Sequence, residues 1–144
     1  MIEQDTVKLL RECDAGIKMG ISSLEDELDR VEHRKLRELL GDCKAQHEEL
    51  QTQIIGLLAD YHDRGKDPAP IAKGMSWMKT NLKMTLEGGD ATIADLMTDG
   101  CDMGVKSLSR YLNQYEAADE RSKDIAKKLI AAESDLSIAL RDWL

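Results

Sequence analysis

The sequence predicts an all-α protein, a four-helix bundle in up-down-down-up order, and three observations carry that prediction. Apolar residues recur at intervals of three and four along four long stretches, the spacing that lines one face of an α-helix. The composition favours helix over sheet, with Leu, Ala, Lys, Glu and Met at most positions, no Phe and only 2 Pro. Both prolines, Pro68 and Pro70, fall with Gly65, Gly88 and Gly89 in and around the middle of the chain, between the second and third long stretches. A chain of 144 residues suits one domain, large enough to bury roughly two thirds of the surface it exposes when unfolded.

The first stripe runs through Val7, Leu10, Ile17, Ile21, Leu24, Leu28 and Val31, with Asp14 as its single polar member. Asp5 or Thr6 can cap its first turn. The stripe resumes out of step at Leu36, which places a tight turn at Glu32 to Arg34 and makes the next helix antiparallel. That helix carries Leu36, Leu40, Cys43, Leu50, Ile54, Leu57 and Tyr61 inward, with His47 as its one polar member. Pairing Leu28 with Leu36 and Leu24 with Leu40 sets Ile17 opposite His47, with Asp14 one layer away.

Gly65 followed by Pro68 and Pro70 stops the second helix near His62 or Asp63. Ile71, Met75, Met78 and Leu82 then mark a shorter amphipathic crossover helix that ends at Gly88 and Gly89. Eighteen helical residues advance about 27 Å, enough to carry the chain back along the bundle, so the second and third helices run parallel. Asp90 is the expected N-cap of the third helix, which turns Met97, Cys101, Gly104, Val105, Leu108, Leu112 and Tyr115 inward. Gly100 and Gly104, four apart, suggest close helix approach. The last helix buries Ile125, Leu129, Ala132, Leu136, Leu140 and Trp143. The apolar phase runs unbroken through Tyr115, Ala118, Ser122 and Ile125, but the cap residue Asp119 places a turn at Glu116 to Asp119.

Charge and cysteine usage exclude several classes. The formal charge is −8, from 28 acidic and 20 basic residues with neither sign in a long run, which argues against a nucleic-acid backbone as partner. The amino terminus has no signal-peptide core and no apolar run reaches membrane-span length, so a soluble cytoplasmic protein is expected. Cys13, Cys43 and Cys101 lie far apart without a Cys-x-x-Cys pair and read as free thiols in a helical core. No serine has a His–Asp arrangement beside it, and Gly88-Gly89 lacks the spacing and Lys of a phosphate loop.

The segment Gly74, Leu82, Lys83, Leu86, Gly88, Gly89 and Asp90 resembles part of a bacterial ferritin-like family catalogued as a domain of unknown function. The resemblance implies a ferritin-like bundle: a hairpin, a long crossover and a second hairpin. Metal-carrying bundles of this kind surround two irons with four carboxylates and two imidazoles, including Glu-x-x-His motifs. This chain has no Glu-x-x-His, and where the family tends to place its Glu it holds Ile17 and Lys18, and Val105 and Lys106. Di-iron chemistry is therefore not expected, nor is a catalytic residue.

Counting from the two hairpin turns brings Asp14, His47, Cys101 and Glu133 near mid-bundle, one from each helix. Carboxylate, imidazole and thiolate suit a single zinc, iron or manganese ion. The simpler reading pairs Asp14 with His47 to fix hairpin register and leaves the bundle without a cofactor. The sequence thus points first to a binding or interaction module, with a homo-oligomer or another protein as partner and Met75, Trp77 and Met78 of the crossover as a candidate surface. A nonstandard metal-binding redox or storage protein is the second reading. A thiol sensor at Cys101 is the third, and it requires an accessible thiol of lowered pKa.

Overall fold

The computed structural model describes residues 2–68 and 88–144. Four long helices account for most of them: α1 (Ile2–Leu28), α2 (Arg34–Asp60), α3 (Gly89–Gln114) and α4 (Glu120–Leu140), with a short 3-10 turn at Arg141–Trp143. The expected crossover helix, including Met75, Trp77 and Met78, lies outside the described residues. No helix among the described residues is long and apolar enough to cross a membrane.

Helices α1 and α2 form one hairpin and α3 and α4 the other, joined chiefly through α2 against α4. Hydrogen bonds at the two ends give the directions. At one end the carboxylate of Asp90, in the first turn of α3, accepts the backbone N–H of Glu32 (2.8 Å) and of His33 (2.9 Å) in the α1–α2 turn. At the other, Asp5 accepts the N–H of Ala117 (3.1 Å) and the Thr6 hydroxyl accepts that of Asp119 (2.9 Å), in the α3–α4 turn. The start of α3 therefore lies beside the start of α2, and the order is up-down-down-up, the ferritin-like arrangement.

These same bonds correct two capping expectations. Helix α1 begins at Ile2, so Asp5 and Thr6 sit inside its first turns and bind the opposite hairpin instead of capping their own helix. The N-cap of α3 is Gly88, with no side-chain cap, because Asp90 is turned to the neighbouring turn. Asp119 does cap α4, accepting the N–H of Ser122 at 2.8 Å, and that break makes two helices of one continuous apolar phase. Leu58, not Leu57, is the fully buried residue near the end of α2, at the i+4 position from Ile54.

After α2 the chain reverses at His62, whose φ is 56°, and runs back along α1. Ion pairs hold this return: Arg11 with Asp63 (3.1 Å), Glu12 with Lys66, and Lys18 with Asp67 (3.1 Å). Gly65 has a φ of +86°, and a Cβ there would fall on the Asp14 carboxylate, so both backbone conformation and space demand glycine.

Among the described residues the core consists of two apolar clusters. One holds Leu9, Leu10, Ile17, Ile54 and Leu129, the other Leu24, Leu36, Leu40, Ile93 and Leu140. His47 and Glu133 belong to neither, although both are buried. Replacing Asp90 removes acceptors from two backbone N–H groups that tie the hairpins together. Asp90→Ala is expected to lower stability by about 1–2 kcal/mol, with Asp90→Asn recovering part of the loss, as read from urea unfolding midpoints.

Candidate functional site

Where the two core clusters meet, the four helices contribute Gly20, His47, Gly104 and Glu133. His47 follows Cys43 by one turn of α2, and its Nδ1 lies 2.9 Å from the Cys43 carbonyl oxygen and 3.6 Å from Cys43 Sγ. The short contact to a carbonyl, which can only accept, makes Nδ1 a donor and fixes the ring. Nε2 then faces Glu133 Oε1 across 3.7 Å. The imidazole is 2% exposed and Glu133 8%.

Two glycines make room for this pair. A Cβ on Gly20 would press to 3.1 Å from Cδ2 and 3.2 Å from Nε2 of His47. A Cβ on Gly104 would fall on Glu133 Oε2, with Cδ only 2.8 Å away. Gly104 thus leaves space for a carboxylate, whereas nothing lies within 4 Å of a Cβ on Gly100, which corrects the expectation that both mark close helix approach. The residue opposite His47 is Gly20, not Ile17, which packs in the adjoining apolar cluster.

Burial by itself would lower the His47 pKa, but the Cys43 acceptors and the Glu133 carboxylate that faces Nε2 outweigh it and raise it to about 10. The ring is therefore an imidazolium against a carboxylate. Burial pushes the Cys101 thiol up to about 12, and the negative charge of Glu133 adds to the effect. Cys13 is raised to about 12 as well, by burial first and then by Glu12. All three cysteines are free and buried. The accessible, low-pKa thiol that a sensor at Cys101 requires is not what this environment produces.

Of the four residues expected at mid-bundle, His47 and Glu133 face each other and Cys101 lies on α3, on the face of Gly104 and one turn before it. Asp14 is not with them, and the expected Asp14–His47 pair is not the contact made. Its buried carboxylate takes Lys18 Nζ at 2.8 Å and the backbone N–H of Lys66 at 2.9 Å, so it anchors the return segment after α2. Among the described residues no three His, Cys, Asp or Glu side chains already converge as metal ligands. Gly20, Gly104 and the contact between Cys43 and His47 were not singled out from sequence as parts of a site. The signals were present: Cys43 and His47 are four apart on one stripe, and Cys101 and Gly104 three apart on another.

The described residues do not fit a di-metal centre. That centre needs several inward carboxylates and two imidazoles, and this layer supplies one imidazole and one carboxylate opposite two glycines. Lys18 is committed to Asp14 and Asp67, and Lys106 is exposed.

Comparison with known proteins places the fold. No protein-family model matches the chain, and no curated protein matches it significantly. The chain is similar to the crystal structure of a DUF305 fragment from Deinococcus radiodurans, with a TM-score of 0.75 and 13% sequence identity, over 96% of this chain and 93% of that one. The shared feature is the helical-bundle fold.

Two outcomes follow from the layer. A histidine whose folded pKa is raised contributes stability that is complete below its unfolded value of 6.5 and is lost as pH rises toward about 10. The urea midpoint of the wild type should therefore fall between pH 6.5 and 8, below the ordinary value of 9.0 at which the thiols begin to titrate in the unfolded chain, and stay nearly flat over that range in His47→Gln. Gly104→Ala should cost about 1–3 kcal/mol by overpacking Glu133. The neighbouring Gly100→Ala should stabilise by about 0.4–1 kcal/mol, and a Glu133→Ala background should remove most of the Gly104→Ala penalty.

Proposed function

We propose that the chain is a binding module built on a ferritin-like bundle, and that it does not carry out the oxidation chemistry of metal-loaded bundles. The observation that supports this reading is the mid-bundle layer. On α1 and α3 the positions that face this layer, Gly20 and Gly104, bring no donor side chain to it, and among the described residues of the layer a single imidazole faces a single carboxylate. An ion pair of this kind, buried between two apolar clusters, defines helix register. Binding to a protein partner or a second copy belongs to the same reading, with the crossover residues Met75, Trp77 and Met78 as its candidate surface.

The test is ferrous iron oxidation. Fe(II) added to the full chain in aerated buffer should oxidise no faster than in buffer alone, followed by ferric absorbance at several ratios of iron to protein. Catalysed oxidation with repeated turnover would overturn the reading.

A further inference from the structure

We propose that the His47–Glu133 layer is a mononuclear site for a borderline-soft divalent cation of the zinc type, with His47 Nε2, a Glu133 carboxylate oxygen and the Cys101 sulfur as its protein ligands. The inference rests on the binding-module reading and names the class of ligand that the module takes.

The orientation of His47 is the first argument. A metal-binding imidazole ordinarily donates its other ring N–H to a carbonyl or carboxylate, which fixes the tautomer and aims the free nitrogen at the metal. Here Nδ1 is held by the Cys43 carbonyl at 2.9 Å, and Nε2 is directed at Glu133. The contact distance is the second. At 3.7 Å, Nε2 and Oε1 are too far apart for a hydrogen bond. Two ligands each roughly 2.0–2.2 Å from one zinc, at tetrahedral or slightly wider angles, stand about 3.3–3.7 Å apart.

Glu133 supplies the third. Its Oε2 is buried without a hydrogen-bond partner, a costly arrangement for a carboxylate oxygen. That oxygen points at α3, where Gly104 presents no side chain and Cys101 stands one turn away on the same face. Gly20 likewise leaves the Nε2 edge of the imidazole uncovered by a side chain. Nitrogen, oxygen and sulfur donors together favour zinc, cobalt or a similar ion over magnesium or calcium, whose ligands are oxygens.

The three donors are not converged beforehand, so the Cys101 side chain closes onto the ion as it binds. Binding releases two protons to solvent, the thiol proton of Cys101, since a coordinating thiol is deprotonated, and the Nε2 proton of the His47 imidazolium, since the ring coordinates through a bare nitrogen. Asp14 takes no part, being held by Lys18 and Lys66.

The experiment is anaerobic titration of the reduced full chain with Co(II), read by visible absorption and by competition with Zn(II). The expected result is one equivalent bound, with four-coordinate d–d bands and a thiolate-to-cobalt band. Cys101→Ser should abolish the thiolate band, and His47→Gln should weaken binding by more than about 100-fold. Cys13→Ser and Asp14→Asn, both outside the site, should leave the spectrum unchanged. Absence of stoichiometric binding by the folded wild type, or a thiolate band that survives Cys101→Ser or disappears in Cys13→Ser, overturns the proposal. Circular dichroism on each variant separates loss of the site from loss of the fold, and the wild-type titration decides the matter without any variant. The outcome is separate from that of the iron assay: iron turnover overturns the binding-module reading whether or not cobalt binds, and missing cobalt overturns this site alone.

Discussion

The contact between the His47 imidazolium and the Glu133 carboxylate sets the terms for the rest of the bundle. It places two ionised groups where the four helices meet, 2% and 8% exposed, and divides what would be one continuous core into two apolar clusters. A buried ion pair contributes little net stability against a hydrophobic replacement, but removing one partner leaves the other charge stranded at a cost of about 3–5 kcal/mol. The pair therefore opposes any slip of α2 against α4. An axial shift of one turn would carry His47 some 5 Å from Glu133 and into an apolar cluster.

The neighbouring helices are arranged to tolerate that contact. Gly20 on α1 and Gly104 on α3 each lack the Cβ that would strike it, so helix propensity is given up at two internal positions. Gly100 and Gly16 have no such neighbour, which separates glycines set by packing from those that are not. The ends of the bundle are secured differently. At each end a hairpin turn donates backbone N–H groups to side chains of the other hairpin, Asp90 at one and Asp5 with Thr6 at the other. Turn N–H groups that helix capping would leave to water thus become the joints between hairpins.

The helices were legible because each carries an apolar stripe long enough to fix its phase, and the α3–α4 turn was legible because Asp119 is a strong cap. Burial of Asp14 and His47 was legible for the same reason, since each interrupts a stripe, and that of Cys101 because it lies on one; Glu133 was placed near them by counting from the hairpin turns. Their partners were not. Asp14 lies within a turn of the layer it was assigned to, yet its carboxylate is claimed by Lys18 and by the backbone of Lys66, a residue fifty-two positions along the chain. Asp5, Thr6 and Asp90 had the composition and position of caps and serve as acceptors for distant turns.

The sequence by itself determined the class of fold, the four helices, the two hairpins and the parallel course of α2 and α3, because hydrophobic period and turn chemistry act over a few residues and are written locally. Tertiary structure alone decided which buried polar groups meet. A rotation or shift of a fraction of a turn between helices changes which side chain faces which, and that offset depends on the summed packing of both clusters. For that reason Gly20 rather than Ile17 stands against His47, and Glu133 rather than Asp14 receives its charge.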